Sequence, residues 1–313
     1  MVLDERAPID PEISALIDRF EAALSDPEMT VDQMREAYSA MLSEQGGPDD
    51  PVSTEDLVIK TRHGPMKARM YRADMEGERP LVLYIHGGGF VLGDTDGLNL
   101  PLHVIARKSG CAILSIDYYL APEAPYPIPF EQCQDALLWA ASNRGALRIS
   151  NKIGVAGDSA GGNLAALLAI WARDTGGPSI SWQGLVNPVL DFPAVEAKST
   201  ASHRIYADGP HLTADAMKMF IEQYFVQDEH KIEASPLHVA ALEGLPTAFM
   251  GVAQLDPLRD EGIAYAQRLE AAGVAVETHC YEGMSHNFIV MSHVSQTSKM
   301  FLDQISAAMA DHL

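Results

Sequence analysis

One short stretch of the chain carries a serine in the setting that nucleophilic catalysis requires. Ser159 is the centre of a G-x-S-x-G pattern at 157–161, which follows an apolar run at 153–156 and precedes an Ala- and Leu-rich segment at 163–172. A strand, a sharp turn and a helix hold such a serine, and the N–H groups of the helix N-terminus face the developing oxyanion. Because the pattern also arises by chance in about one chain in ten, it needs support from elsewhere in the sequence.

A second glycine-rich motif lies upstream of the serine. Residues 86–90 read His-Gly-Gly-Gly-Phe and follow a β-branched and aromatic run at 81–85, which predicts a strand. A phosphate-binding loop would need Lys-Ser/Thr or G-x-G-x-x-G opening a helix, and neither is present. Such a loop can instead present backbone N–H groups to a serine, because glycine has no side chain to block them. H-G-G-G is the sequence of this loop in lipases and esterases of the α/β-hydrolase fold.

Four motifs in the same order identify a family that the chain resembles. They lie at 86–90, 117–123, 157–162 and 256–260. In these motifs the chain is similar to the hormone-sensitive-lipase family of esterases, and the resemblance spans roughly residues 50 to 313. It implies an α/β-hydrolase fold with a mostly parallel eight-stranded sheet flanked by helices, together with a helical cap. The chain departs from the family at Tyr119, where Arg is usual, and at Asn287, where Gly is usual.

The general base and the orienting acid are sought at the ends of later strands. In α/β hydrolases the chain order is serine, acid, histidine, and ligands bind where the carboxyl ends of parallel strands meet. Asp256 follows a predicted strand at 247–252, and His286 follows the last predicted strand at 275–281. We therefore predict Asp256 as the acid and His286 as the base.

Four other residues of the sequence are of a type that could fill these roles. Asp260 is an alternative acid, although its place at the start of a helix suits a capping or dipole role. His279 alternates within a strand, and His293 lies too far toward the last helix. His86 is predicted to hold the glycine loop rather than to move a proton.

The resemblance implies acyl transfer to Ser159 with no cofactor and no metal. It implies that backbone N–H groups hold the oxyanion, at Gly87, Gly88 and Ala160. The predicted substrate is a small carboxylic ester with a short or medium acyl chain. An amidase or peptidase on the same fold stays open, since the same triad cleaves amides. A ligand-binding receptor on a disabled scaffold is disfavoured, because serine, acid and histidine are all present.

Composition limits the partners of the chain. The chain has 313 residues, 47% of them hydrophobic, and a formal net charge of −21. This charge disfavours nucleic acids and anionic membrane surfaces as partners. Three widely spaced cysteines indicate neither a disulfide framework nor a zinc site. The first residues lack the pattern of a signal peptide and no run reaches transmembrane length, so a cytoplasmic location is predicted. A homodimer stays open.

The elements that position these residues alternate between strand and helix. This alternation runs over roughly residues 81 to 190 and resumes at 247, and it predicts a mostly parallel sheet with right-handed crossovers. Two amphipathic helices are predicted within 9–45, from these apolar positions: Ile13, Leu16, Ile17, Phe20, Leu24, Met34, Tyr38, Met41 and Leu42. Residues 191–212 are predicted to be irregular, and a helix capped by Thr213 is predicted to follow.

The predicted domain organisation has four parts. N-terminal cap helices occupy 1–45, the first part of the core 46–190, a cap insertion 191–230 and the second part of the core 231–313. The two cap segments are predicted to pack together as a lid over Ser159, and plain packing on the core stays open for 9–45.

Overall fold

The computed structural model describes residues 8–24, 26, 28–74 and 76–313. Its strands are β1 (Ser53–Thr61), β2 (Gly64–Arg72), β3 (Arg79–Ile85), β4 (Ala112–Asp117), β5 (Ile149–Asp158), β6 (Trp182–Val186), β7 (Thr247–Leu255) and β8 (Val276–Ser285). Its α-helices are α1 (Pro11–Ala23), α2 (Val31–Ser43), α3 (Asn99–Ser109), α4 (Ile128–Ser142), α5 (Arg144–Leu147), α6 (Ala160–Thr175), α7 (Phe192–Glu196), α8 (Ala201–Ile205), α9 (Ala214–Tyr224), α10 (Glu229–Glu233), α11 (Arg259–Ala271) and α12 (Gln296–His312). Among the residues so described, no helix is long and apolar enough to span a bilayer.

The strands form one eight-stranded sheet in the order β1-β2-β4-β3-β5-β6-β7-β8. The β1–β2 and β2–β4 pairs are antiparallel, and the other five pairs are parallel. All residues of β6 are buried, as expected for a strand of a sheet that helices cover on both faces. The predicted mostly parallel eight-stranded sheet is confirmed.

Parallel strands bring distant parts of the sequence to one edge of the sheet. Strand β5 ends at Asp158 and β8 ends at Ser285, each directly before a predicted site residue. Strand β7 ends at Leu255, directly before Asp256. Strand β3 pairs with β5 so that Ile85 lies beside Gly157, which puts the glycine loop next to the serine.

Two helices lie in the segment 191–212, which we predicted to be irregular, and that prediction is wrong. The side chain of Asp191 accepts the Ala194 N–H and begins α7. Thr200 and His203 form a capping box that begins α8. Both helices have five residues, too few for an apolar period to be visible in the sequence.

The N-terminal helices form as predicted. The capping box at Thr30 and Gln33 begins α2, and Asp10 caps α1 by accepting the Glu12 N–H. Helix α1 buries Ile13, Leu16, Ile17 and Phe20, and α2 buries Tyr38 and Leu42. At about 1.5 to 3 kcal/mol for each large apolar side chain, burial of these stripes holds both helices on the rest of the molecule.

Candidate active site

A strained turn between β5 and α6 presents Ser159. The serine has φ 53° and ψ −117°, a conformation that costs a non-glycine residue of order 1–3 kcal/mol. Gly157 and Gly161 allow it, because a β-carbon at either position would collide with the Ile85 carbonyl oxygen of β3. The predicted strand, turn and helix are therefore present, with the serine at the carboxyl edge of the sheet.

The serine, histidine and aspartate form one hydrogen-bonded chain. His286 Nε2 lies 2.9 Å from Ser159 Oγ, and His286 Nδ1 lies 2.7 Å from Asp256 Oδ2. Asp256 is fully buried and its Oδ1 accepts the Leu258 N–H at 2.8 Å. A carboxylate acceptor at Nδ1 selects the tautomer with its proton on Nδ1, which leaves the Nε2 lone pair facing the serine hydroxyl.

The alternative residues lie in other environments. Asp260 is in the first turn of α11, where it accepts the Ser202 N–H at 2.8 Å and an N–H of Arg259 at 2.9 Å. His279 is on β8 and bonds Glu277. Neither of these residues, nor His293, has a hydrogen bond to Ser159 in the part of the chain that the structure describes.

The N–H groups of the glycine loop that face the serine are not the pair that we predicted. The Gly87 N–H is donated to Asp158 Oδ2 at 3.1 Å, so it is not available to an oxyanion. Gly88 and Gly89 line the cavity at Ser159, whereas Gly87 does not. The structure gives the N–H groups of Gly88 and Gly89 no partner among the described residues. This hydrogen bond favours Gly88 and Gly89 over the predicted Gly87 as donors to an oxyanion.

Asp158 is a residue whose role the sequence reasoning missed. It is buried beside the serine, accepts the Tyr84 hydroxyl at 3.1 Å, and holds the Gly87 N–H. Burial raises the pKa of its carboxyl. Asp158 thereby ties the glycine loop to the turn of Ser159. The sequence feature that could have indicated this role is an acidic residue at the end of a predicted buried strand, because a buried carboxylate needs hydrogen-bond donors.

A cavity of about 410 Å³ opens at Ser159. Both predicted cap segments contribute to its wall, with Phe20, Leu24 and Tyr38 from the N-terminal segment and Met217, Phe220 and Ile221 from α9. The Phe220 ring lies against Gly89, since a β-carbon there would collide with it. The N-terminal segment meets the insertion at His211, whose ring centroid lies 4.5 Å from that of Phe20.

His211 is a half-buried cavity residue beside the histidine of the hydrogen-bonded chain. Its ring centroid is 6.4 Å from that of His286, its backbone has φ 74°, and Glu21 accepts its backbone N–H. Burial, and then the charge of His286, lowers the pKa of His211 to about 3. His211 therefore stays neutral at pH 5 and above.

Replacing His211 by Asn is expected to reduce the acid sensitivity of the fold. In the unfolded chain this histidine becomes protonated as pH falls through its usual pKa of 6.5. In the folded protein its pKa is about 3. Stability due to His211 is therefore complete above pH 6.5 and is lost as pH falls toward 3. We expect the loss of unfolding free energy between pH 7.5 and 4.5 to be about 1–2 kcal/mol smaller in His211→Asn. Asn tolerates positive φ, and urea unfolding at both pH values measures the difference. An equal loss in both proteins would contradict the assignment.

A family model described as the alpha/beta hydrolase fold matches residues 82–290. The chain belongs to the α/β-hydrolase family. Among its curated relatives, carboxylic ester hydrolase LipN of Mycobacterium tuberculosis is 37% identical over 278 residues, covering 85% of this chain and 72% of the relative. Esterase LipI of the same organism is 37% identical over 297 residues, covering 91% of this chain and 89% of the relative.

Solved structures of esterases match this α/β hydrolase over nearly its whole length. The hyperthermophilic esterase of the archaeon Pyrobaculum calidifontis has a TM-score of 0.87 at 35% identity, covering 97% of this chain and 98% of that one. A thermostable esterase of Pseudomonas putida has a TM-score of 0.91 at 31% identity, covering 98% of each chain. The resemblance to hormone-sensitive-lipase-like esterases is confirmed.

Proposed function

We propose that this α/β hydrolase cleaves carboxylic esters of short to medium acyl chain length, with Ser159 as nucleophile, His286 as base and Asp256 as orienting acid. The observation that carries the proposal is the unbroken hydrogen-bonded chain from Asp256 through His286 to Ser159. A serine hydroxyl is a weak nucleophile unless an adjacent base takes its proton. The esterase names of relatives that cover most of this chain support ester hydrolysis as the reaction.

The reaction follows from the geometry in two halves. Ser159 Oγ attacks the ester carbonyl carbon while His286 Nε2 takes its proton, and the buried Asp256 carboxylate stabilises the imidazolium. His286 then gives this proton to the leaving alcohol as the C–O bond breaks. Water attacks the acyl-enzyme with His286 again as base, which releases the acid and restores the serine.

The oxyanion is assigned to the backbone N–H groups of Gly88, Gly89 and Ala160. All three residues line the cavity at the serine, and Ala160 is the first residue of α6, where an N–H has no partner within the helix. Donors that are fixed before the reaction stabilise the charge that develops on the carbonyl oxygen. Gly87 has the different role of holding Asp158.

The two helical segments at the cavity are proposed to act as its cap. Phe20 and Tyr38 of the N-terminal segment and Met217 and Phe220 of α9 all line the cavity. An apolar wall of this kind binds an acyl chain and reduces the access of water to the acyl-enzyme. A cytoplasmic location and a homodimer remain proposals from the sequence, to be tested by fractionation and by light scattering.

A panel of nitrophenyl esters from acetate to laurate tests this function. Each methylene buried in the cavity is worth about 0.8 kcal/mol, so kcat/KM is expected to rise by up to about fourfold per methylene until the cavity is full, and then to fall. Nitroanilides with the same acyl groups test the amidase alternative. Anilide turnover comparable to ester turnover, or no ester turnover, would contradict the proposal.

Phe220→Ala is expected to move the acyl-chain preference to longer esters. The ring of Phe220 lies on Gly89 and occupies space beside the reacting carbonyl. Its removal lets about two more methylenes be buried, so kcat/KM for esters two carbons longer than the wild-type optimum is expected to rise by about tenfold. Val226→Ala is the control, because Val226 is 76% exposed and is not part of the cavity wall. An unchanged ranking of the panel in Phe220→Ala would exclude this wall as the limit on chain length.

A further inference from the structure

The residue after the proposed base is held by the N-terminal segment. Asn287 directly follows His286 and has φ 61° and ψ 24°, a left-handed conformation that Gly or Asn adopts readily. Its side-chain Nδ2 donates a hydrogen bond of 3.0 Å to the Tyr38 hydroxyl of α2, and both side chains are buried. Gly would accept the same backbone without making this bond, so the bond is a specific property of Asn at this position.

The same helix also holds the loop that follows the oxyanion glycines. One turn before Tyr38, the Arg35 guanidinium donates to the Val91 carbonyl through Nε and to the Ala121 carbonyl through Nη2, each at 2.9 Å. Glu123 holds the guanidinium with both carboxylate oxygens, at 2.9 and 2.7 Å. The hydrogen bond from Arg35 lowers the pKa of Glu123 to about 2, so the pair stays ionised over the working range of pH.

Val91 belongs to the turn that shapes the glycine loop. The N–H groups of Val91 and Leu92 both donate to the Gly88 carbonyl, at 3.1 and 2.8 Å. A contact to the Val91 carbonyl therefore restrains the turn that holds the Gly88 carbonyl, and this carbonyl shares its peptide unit with the N–H group of Gly89, a proposed oxyanion donor. Helix α2 contacts the oxyanion side of the site through Arg35 and the base side through Tyr38.

From these contacts we propose that α2 braces the active site: Arg35 positions the oxyanion loop and Tyr38 positions the loop of His286. The inference rests on the proposed function, because it concerns the alignment of its reacting groups. Both residues are positioning residues, since neither touches the reacting atoms.

Two features favour a positioning role for Tyr38. Asp256 fixes the His286 ring from the Nδ1 side, and the Asn287 contact holds the backbone on the other side of that residue. Burial raises the pKa of Tyr38 above its usual value, so its hydroxyl remains neutral and accepts the Asn287 N–H at any working pH. A shift of about 1 Å in a catalytic group costs on the order of 100-fold in rate, so even a small relaxation of this loop is measurable.

A double-mutant cycle on Tyr38→Phe and Asn287→Gly tests the brace in the full-length protein. Each substitution removes the bond while keeping the ring or the left-handed backbone. Each is expected to lower kcat for nitrophenyl butyrate by about 5- to 10-fold with KM within about twofold. The double variant is expected to be no slower than the slower single variant, because all three lack the same bond. Losses that multiply, or losses confined to KM, would contradict the proposal.

Readouts that do not depend on ester binding separate positioning from general destabilisation. The rate at which a small phosphonylating reagent inactivates Ser159 is expected to fall in parallel with kcat. The low-field proton signal of the His286–Asp256 hydrogen bond is expected to broaden. Arg35→Lys keeps the charge but loses the branched contacts, and it is expected to lower kcat by about fivefold. Unchanged inactivation rates and an unchanged proton signal would contradict the positioning role of α2 and would mean that the helix only packs against the site.

The control is Arg19→Gln, which breaks an ion pair of 2.8 Å between Arg19 of α1 and Glu44, the residue after α2; both side chains are more than half exposed. It is expected to leave kcat and KM unchanged, and thermal unfolding checks that all variants are folded. Since Tyr38→Phe and Asn287→Gly report on the same bond from its two ends, either folded variant suffices for the comparison of kcat with KM. If Ser159→Ala keeps wild-type turnover, the proposed function fails. If only Ser159→Ala is slow and the brace variants match the wild type, the brace alone fails.

Discussion

Ser159→Ala is expected to lower kcat for ester hydrolysis by about 10⁴ to 10⁶-fold while the protein stays folded. Without Oγ there is no atom for His286 to activate and no acyl-enzyme can form, so only transition-state binding by the remaining groups contributes. The hydroxyl has no hydrogen bond besides the one to His286 among the described residues, so its loss disturbs packing very little.

The measurement is steady-state turnover of nitrophenyl butyrate, with folding followed by circular dichroism. Ser292→Ala is a matched control, because Ser292 is a buried serine that takes no part in the site. It is expected to keep wild-type turnover. If a folded Ser159→Ala protein has a kcat within tenfold of the wild-type value, Ser159 is not the nucleophile and the proposed mechanism is wrong.

Asp256→Asn is expected to lower kcat by about 10³ to 10⁴-fold. An amide in place of the Asp256 carboxylate favours the imidazole tautomer with its proton on Nε2, which turns an N–H rather than a lone pair toward Ser159. The amide oxygen can still accept the Leu258 N–H that Asp256 Oδ1 accepts in the wild type. We therefore expect a folded protein with a wrongly oriented base.

Asp260→Asn is the comparison that decides between the two candidate acids. Asp260 bonds the Ser202 N–H and the buried Arg259, so its replacement is expected to cost about 1–3 kcal/mol of unfolding free energy. Its effect on kcat is expected to stay within about threefold, since it has no bond to His286. Turnover and urea unfolding of both variants separate the two effects, and a larger loss of kcat in Asp260→Asn would mean that the wrong acid was chosen.

Local sequence patterns were sufficient to find the serine, the acid and the base as candidates. Each directly follows a strand of the sheet, and parallel strands place their carboxyl ends at one edge of the sheet. The same patterns predicted the capping box of α2 and the apolar stripes of α1 and α2. They failed for α7 and α8, because helices of five residues show no period and depend on their caps and on burial by neighbours.

The choice among the glycines was decided by tertiary structure. Gly87, Gly88 and Gly89 are chemically identical in the sequence, and only the pairing of β3 with β5 brings Asp158 to the Gly87 N–H. That bond leaves the N–H groups of Gly88 and Gly89 as the proposed donors at the cavity. A buried carboxylate needs hydrogen-bond donors, but the sequence does not say which N–H group will lie within reach.

The sequence alone was enough to predict the mostly parallel sheet, because the alternation of strand and helix patterns is a local property. The four motifs carried the resemblance that implied the family and its chemistry. The contact between Tyr38 and Asn287, which joins residues 249 positions apart, was decided by the tertiary structure. The sequence predicted that the N-terminal helices and α9 pack together, whereas the residues through which they line one cavity were decided by the tertiary structure. An amphipathic helix shows in its sequence that one face must be buried, and only the packed molecule shows which side chains that face contacts.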